Sequence, residues 1–292
     1  CNANTAVYQA LMNPGDILMG MDLASGGHLS HGAPPTLSGK FYKSLTYGVD
    51  ENGLLDYKAI GILAATHKPA VIVAGASAYP RHIDWKAFRE IADMVGAKLV
   101  CDMAHYSGLV AAKQYPSPLP YADVVTSTTH KTLRGPRGGM ILWNDSRFSK
   151  KINSAIFPGT QGGPLMNIIA AKAQCYLEAL EDSFEDYIKQ VIANAKAMCE
   201  VFNERGLKIQ TNGTDSHIIL VNLSDSKYSG REAADKLEAN GITVNKNGIP
   251  NDPRSFVETS GFRIGTAAET TRGLKEADFK IIAHKICNLL DR

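Results

Sequence analysis

One lysine, Lys131, stands at the end of a run of strand-forming and hydroxyl residues. Residues 122–131 read ADVVTSTTHK, and the arginine- and glycine-rich loop TLRGPRGG follows. Partial burial and neighbouring positive charge lower the pKa of an amine, which favours the neutral form that attacks carbonyl groups. The loop lacks the G-x-x-x-x-G-K-[ST] pattern of a phosphate-loop lysine. A lone lysine at a strand end can simply reach solvent, but these surroundings favour a nucleophile.

Other candidate residues also follow apolar runs or glycine-rich turns. Asp102 ends the strand KLVCD, and His105 comes three residues later. Such a carboxylate can cap a helix, bind a metal ion or pair with a buried cation such as a pyridinium nitrogen. His28 and His31 lie in SGGHLSHG, and with Asp102 and His105 they could form a metal site. His28 could instead stack on an aromatic cofactor.

Two further segments are suited to anions. The glycine-rich turn FPGTQGGP (157–164) and Arg137 supply backbone N–H groups and a guanidinium that fit a phosphate, although such a turn can also simply join two domains. Arg263, in SGFRIGT, is either a surface arginine or a bidentate ligand for a substrate carboxylate.

The elements that would position these residues alternate between strands and helices. Strands are predicted at 69–77, 97–105, 122–131 and 138–143, and a helix capped by an aspartate and closed by a glycine at 84–96. Near-continuous apolar strands in this alternation predict an α/β domain with a mostly parallel sheet. Ligands bind beyond the carboxyl ends of such strands, where Ser77, Asp102, His105 and Lys131 fall.

The C-terminal part of the chain has a different pattern. A long helical stretch runs from Leu165 to about Arg205, with a bend near Asp182. Strands are then predicted at 217–223, 242–246 and 261–268, and helices at 230–241 and from Leu274 onward. We therefore expect a large domain over 1–179 and a smaller α+β domain over 180–292.

Composition narrows the class of protein. The 292 residues are 44% hydrophobic with a formal charge of +2, which gives no indication of nucleic-acid or membrane-surface binding. No apolar run reaches the roughly 18–20 residues of a membrane span. The five cysteines are scattered, which favours reduced thiols and a cytoplasmic location.

Six strings in order along the chain, GGHLSHG, DMAHYSGLVAA, TSTTHKTLRGPRGG, FPGTQGGP, VNKNGIPNDP and TSGFRIGT, resemble the serine hydroxymethyltransferase family. The resemblance implies a fold-type I pyridoxal-phosphate enzyme, homodimeric with shared active sites or tetrameric. It implies reversible transfer of the hydroxymethyl carbon of serine to tetrahydrofolate, giving glycine and methylenetetrahydrofolate.

The resemblance also assigns roles. Lys131 would bond covalently to the cofactor, Asp102 would pair with its ring nitrogen, His28 would stack on the ring, and Ser77 and His105 would lie near its phenolic oxygen. Arg263 would bind the substrate carboxylate, and Gly162 and Gly163 would reach the phosphate in the neighbouring subunit. The remaining matches are Thr128 as a catalytic residue, His130 and Cys1 around the cofactor, Arg137 beside the substrate, and Leu23, Gly27, Leu29 and Asn247 along tetrahydrofolate.

The chain departs from the family pattern in a few places. Cys1 replaces the last residue of a phosphate-binding SGS, HLTHG appears as HLSHG, and Ala267 stands where proline is common. We expect the family's N-terminal arm, with a catalytic glutamate, and a short C-terminal segment to lie outside these residues, so that this chain would turn over slowly. The alternatives are a folate-independent pyridoxal-phosphate aldolase or acyltransferase, a metal hydrolase and an inactive fragment.

Overall fold

The structure is a computed structural model that describes residues 1–292. Its first part contains α1 (Asn2–Leu11), β1 (Ile17–Met21), α2 (Leu37–Phe41), β2 (Lys43–Tyr47), α3 (Tyr57–His67), β3 (Val71–Gly75), α4 (Trp85–Val95), β4 (Lys98–Asp102), α5 (Ser107–Ala111), β5 (Val124–Thr128), β6 (Gly139–Leu142), α6 (Ser149–Ser154) and α7 (Met166–Glu178). Its second part contains α8 (Asp182–Glu204), β7 (Ile218–Asn222), α9 (Gly230–Glu238), β8 (Asn245–Asn247), β9 (Gly261–Gly265), α10 (Ala267–Thr271) and α11 (Glu276–Leu289).

A six-stranded sheet in the order β2-β1-β3-β4-β5-β6 forms the first part. All neighbouring strands pair in parallel except β6, which pairs antiparallel with β5. Alternate strand residues face opposite sides: Val71, Val73 and Val100 pack with α1 and α6, whereas Ile72 and Leu99 belong to the core under α3 and α4. The predicted α/β fold with a mostly parallel sheet is confirmed.

The parallel pairing places three strand ends at one edge of this sheet. Gly75, the last residue of β3, pairs with Asp102, the last residue of β4, and Asp102 pairs with Thr126 of β5. Gly75 has φ 138°, and a Cβ on it would lie 2.2 Å from the carbonyl oxygen of Asp102. Only glycine therefore allows the two strands to end side by side at this point.

The strand predicted at 122–131 is shorter in the structure, because β5 ends at Thr128. Beyond it, the carbonyl oxygen of Thr129 accepts a hydrogen bond from the N–H of Gly135, and its hydroxyl donates to the carbonyl of Pro136. These bonds close the loop that leads into β6. Lys131 consequently lies in a tight loop at the sheet edge and not on the strand itself.

The second part holds a three-stranded antiparallel sheet in the order β7-β9-β8. It packs with α9, α11 and the C-terminal half of α8 around a core that includes Phe202, Phe262 and Phe279. The predicted strand at 261–268 ends early, at Gly265, because the chain turns into α10. The strand predicted at 242–246 is only partly correct, since β8 covers Asn245–Asn247.

The helical stretch predicted from Leu165 to Arg205 is two helices, α7 and α8, separated by residues 179–181. The N-terminal half of α8 contributes Phe184, Ile188 and Val191 to the core of the large sheet. Its C-terminal half contributes Met198 and Phe202 to the core of the small sheet. The helix therefore belongs to both cores.

Candidate active site

A cavity of about 370 Å³ opens at the carboxyl edge of the large sheet. The N-terminal end of α1 lies on one side, and the ends of β3, β4 and β5 form the floor. Nine predicted site residues line it: Cys1, His28, Ser77, Asp102, His105, Thr128, His130, Lys131 and Arg137. The strand ends thus bring together residues that lie up to 136 positions apart in the chain.

Asp102 is buried at this edge, and both of its carboxylate oxygens accept hydrogen bonds. Oδ2 accepts from Nδ2 of Asn4 at 2.8 Å and from Nε2 of His31 at 2.9 Å, and Oδ1 accepts from the N–H of Ala104 at 3.0 Å. Burial by itself would raise the pKa of Asp102, but these bonds outweigh it and hold the pKa well below its usual range. The cavity floor therefore carries a fixed negative charge.

Lys131 supplies an amine to the same cavity. Its burial lowers the pKa of the amine, and Arg263 and Arg137 lower it further against the opposing effect of Asp102. The direction agrees with the expectation from sequence. At a given pH, the neutral fraction of the Lys131 amine is therefore larger than that of an exposed lysine. The neutral amine is the form that acts as a nucleophile.

His28 forms part of the cavity wall close to Asp102. Its Nδ1 lies 2.7 Å from Oγ of Ser30 and accepts a hydrogen bond from the Ser30 N–H, which fixes the ring. Burial and then the neighbouring His31 lower the pKa of His28 to about 4. The ring is therefore flat, fixed and neutral near pH 7, as a stacking surface for an aromatic molecule must be.

His130 and Arg137 line the cavity together with residues at the N-terminus of α1. Nε2 of His130 lies 3.5 Å from a guanidinium nitrogen of Arg137, and Nδ1 accepts from the N–H of Gly138 at 3.3 Å. Burial, Arg137 and Lys131 lower the pKa of His130. A helix N-terminus and two nearby cations, Lys131 and Arg137, favour an anionic group here.

Arg263 reaches the site from β9 of the small sheet. One terminal nitrogen donates to the carbonyl oxygen of Ser77 at 2.7 Å and lies 3.5 Å from Nε2 of His105. The other donates to Oδ1 of Asn245 at 2.9 Å. The residue is half-buried, and it contacts Ser77 and His105 of the cavity lining without itself lining the cavity. A carboxylate bound there would replace or share these neutral acceptors.

The glycines Gly162 and Gly163 do not line this cavity. They are exposed, and they border a second cavity of about 730 Å³ that shares Arg137, Gly138 and Gly139 with the first. A Cβ on either glycine would meet no other atom within 4 Å. Within one chain, the structure therefore keeps them apart from Lys131.

The stretches matched to tetrahydrofolate approach each other across the two sheets. Asn247 ends β8, and a Cβ on the following Gly248 would lie 3.4 Å from Cα of Ala24, next to Leu23. Gly27 is held tightly, since a Cβ on it would lie 2.0 Å from the carbonyl of Met21. Leu29, the other residue of this group, is 45% exposed.

The four side chains considered as a metal site do not come together as a ligand set. His31 bonds Asp102, while His105 faces Arg263. No group of three or more histidine, cysteine, aspartate and glutamate side chains is arranged to hold a metal ion. No helix is both long and apolar enough to cross a membrane.

Sequence reasoning missed several residues of the site. Asn4 bonds both Asp102 and Ser30, His31 was considered only as a metal ligand, and Asn245 bonds Arg263. His217, a buried histidine next to His105, was missed entirely. Polar residues that meet from separate elements leave no motif in the sequence. The only signal for them is the apolar residues on either side, which indicate that the segment is buried.

Known proteins resemble this chain over nearly its whole length. The family model described as "Serine hydroxymethyltransferase" matches residues 1–286. The serine hydroxymethyltransferase of Rickettsia felis is 57% identical over 290 residues, which cover 99% of this chain and 69% of that protein. Serine hydroxymethyltransferase 1 of Pseudomonas aeruginosa is 58% identical over 292 residues, 99% of this chain and 70% of that protein. The chain belongs to the serine hydroxymethyltransferase family.

Proposed function

We propose that the 370 Å³ cavity is where this chain binds pyridoxal 5'-phosphate and carries out the reaction of its family. That reaction is the reversible transfer of the hydroxymethyl carbon of serine to tetrahydrofolate, which gives glycine and methylenetetrahydrofolate. The observation that carries the proposal is the pairing, in one cavity, of a buried ionised carboxylate, Asp102, with a partly buried amine, Lys131.

The residues present fit the cofactor. The ionised Asp102 matches a protonated pyridine nitrogen, and the neutral ring of His28 suits stacking on the pyridine ring. Oγ of Ser77 lines the cavity and is buried without a hydrogen-bond partner, so it is available to a phenolic oxygen. The phosphate would suit the N-terminus of α1, which Cys1 directly precedes, together with the positive charge of Arg137 and the His130 ring beside it. When bound, pyridoxal phosphate withdraws electrons from the substrate carbon that bears the amino group.

Three residues of the chain would then have distinct roles around the cofactor. Lys131 would hold the cofactor through its amine and would accept or return a proton at Nζ. Asp102 keeps its negative charge against the ring nitrogen, because Asn4 and His31 hold both the charge and the orientation of its carboxylate. The Thr128 hydroxyl, whose oxygen lies 3.4 Å from the Ala104 carbonyl, supports the cavity wall beside Lys131.

Arg263 would orient the amino-acid substrate by its carboxylate. Its terminal nitrogens already donate to two neutral oxygens, one of Ser77, which lines the cavity, and one of Asn245, which does not. A charged carboxylate is a stronger acceptor than either, since charge-assisted hydrogen bonds are worth about twice neutral ones. Arg137, which lines the cavity, adds a second positive charge. The stretches at Leu23–Leu29 and Asn247 would bind tetrahydrofolate.

We also propose a homodimer with shared sites. Helix α7 buries only Cys175, and apolar side chains along and near it are strongly exposed: Leu165, Met166, Ile169, Leu177 and Leu180. Burial of such a surface against a second copy is favourable. Gly162 and Gly163 border the same face, so that in a dimer they can approach the cofactor phosphate of the other subunit. Cysteines that are all free thiols support a cytoplasmic location.

The proposal is tested by mapping the covalent bond to the cofactor. The chain loaded with pyridoxal phosphate is reduced with borohydride, digested and examined by mass spectrometry. We expect the label on Lys131, and none in Lys131→Arg. Lys172→Arg is the matched control, because this lysine borders the adjoining cavity and donates to the Gly139 carbonyl at 2.8 Å. A label that persists in Lys131→Arg would refute the proposal.

Two further measurements test the substrate and the dimer. Cleavage of serine that needs no tetrahydrofolate would favour the folate-independent aldolase. Gly162→Val should not disturb its own chain, since a Cβ there meets nothing. If the glycine reaches the cofactor of a neighbouring subunit, the variant will bind pyridoxal phosphate more weakly while its thermal unfolding without cofactor is unchanged.

A further inference from the structure

A buried histidine that no part of the proposed mechanism uses, His217, lies behind the wall of the active site. It directly precedes β7 and is 7% exposed. Its ring lies next to Gly265 of β9, a residue that has no side chain. A Cβ on Gly265 would lie 3.7 Å from the ring carbon Cδ2 of His217. Gly265 is two residues beyond Arg263 on β9, on the same face of that strand.

The ring of His217 stacks on the ring of His105. The two centroids are 5.7 Å apart and the ring planes differ by 14°. His105 belongs to the large domain and lines the cavity, whereas His217 belongs to the small sheet and does not. Nε2 of the same His105 ring lies 3.5 Å from a guanidinium nitrogen of Arg263. The stack therefore joins the two parts of the protein next to the group that would bind the substrate carboxylate.

We propose that His217 is a positioning residue for this reaction, whose stacked ring fixes the plane of His105 and excludes water from its outer face, so that His105 remains a neutral neighbour of Arg263. The inference rests on the proposed role of Arg263 in substrate binding. His217 touches neither the cavity nor a reacting group, and it acts through His105.

The charges around the stack explain why exclusion of water matters. The titratable groups that act most strongly on His105 are Lys131, Arg263, His217 and His28, none of which is a carboxylate. Its burial, and then the first two of these cations, keep the pKa of His105 well below its usual value. If the outer face of the ring were open to water, a protonated His105 would become tolerable. It would then repel Arg263 and could no longer accept its N–H.

NMR of the histidine ring protons in the cofactor-free protein tests this directly. The His105 signal, assigned with His105→Gln, is followed from pH 8 down to the lowest pH at which circular dichroism shows the protein folded. In His217→Ala the midpoint of His105 should rise by about one pH unit or more. His217→Phe keeps a flat ring in place and should leave the midpoint as it is in the unmodified chain. His82→Ala, a histidine that packs edge-on against Tyr115 away from the cavity, is the control and should also leave it unchanged.

The outcomes are distinct. An unchanged midpoint in His217→Ala would overturn the proposal. The proposal would also be overturned if the midpoint of His105 were unchanged in His217→Asn but shifted in His217→Phe. That result would show that His217 acts on His105 by hydrogen bonding and not by stacking. If circular dichroism shows that His217→Ala is unfolded, His217→Asn replaces it as the variant that opens the ring face, and an unchanged midpoint in His217→Asn then overturns the proposal.

Catalysis gives a second readout in the loaded enzyme. His217→Ala should raise KM for serine more at pH 6.5 than at pH 8.5, because protonated His105 disturbs Arg263. An equal rise in KM at both pH values would overturn the proposal. Failure of the assigned role of Arg263 is recognised separately: Arg263 variants would then leave KM unchanged, whereas the NMR midpoint of His105 would still shift in His217→Ala.

Discussion

Mild acid should destabilise this fold, because two buried histidines, His105 and His217, have no acidic partner. Burial, and then the charges of Arg263 and Lys131, lower the pKa of His217 to about 3, and burial and Lys131 lower that of His105 well below its usual value. In the unfolded chain a histidine titrates near pH 6.5. Below that pH the unfolded state binds more protons than the native state, so stability falls as the pH falls.

The size of the effect follows from proton linkage. Each histidine that stays neutral in the native state lowers the free energy of unfolding by about 1.4 kcal/mol per pH unit below pH 6.5. For His105 and His217 together the loss between pH 7.5 and pH 5.5 is about 2.7 kcal/mol, and His28, whose pKa is lowered to about 4, adds about half as much again. Carboxylates with a lowered pKa, such as Asp102, affect stability only near and below pH 4, outside this window.

Urea denaturation of the cofactor-free protein, followed by circular dichroism at a series of pH values, measures this slope. The matched comparison is the double variant His105→Gln, His217→Phe, in which neither group can titrate. In this variant the free energy of unfolding should depend much less on pH between pH 7.5 and pH 5.5. This holds whatever the stability of the variant at pH 7.5. A double variant with the same slope as the unmodified chain would show that these histidines are not buried in neutral form, and the reasoning would fail.

Three other changes test individual contacts. Asp102→Asn removes the charge from three hydrogen bonds and should lower kcat/KM for serine at least about tenfold; Asp123→Asn, a carboxylate at the opposite end of the strands that accepts from Arg89, should not. Arg263→Lys loses the planar fork, so KM for serine should rise about tenfold or more, and an unchanged KM would contradict its role. Gly75→Ala places a Cβ 2.2 Å from a backbone oxygen and should cost about 3 kcal/mol of stability by urea denaturation, against about 1 kcal/mol for Gly96→Ala, which has positive φ but no neighbour within 4 Å.

The sheet edge that carries the site could be predicted because local pattern and sheet geometry act together there. Apolar runs identified β3, β4 and β5, and the parallel pairing that follows from α/β alternation brought Ser77 and Asp102 to one edge. The cap of α4 is also local: the side chain of Asp84 accepts from the N–H of Ala87, as its position in the sequence predicts.

The partners of these residues could not be predicted, because they come from distant elements. Nothing near Asp102 in sequence indicates that Asn4 and His31 hold its carboxylate, and nothing near His105 indicates His217. Strand lengths failed for a similar reason. The end of β5 is set by hydrogen bonds across the loop from Thr129 and not by the β propensity of its threonines.

Helix α8 has a mechanical consequence for the whole molecule. It is one continuous helix of 23 residues, and its two halves pack in different cores. Neither core is complete without it. A cut at residue 180 would remove Phe184, Ile188 and Val191 from the larger core. The two sheets should accordingly melt in one cooperative transition, and limited proteolysis should release no stable half. The part of the chain that carries Lys131 and the part that carries Arg263 therefore share one continuous helix.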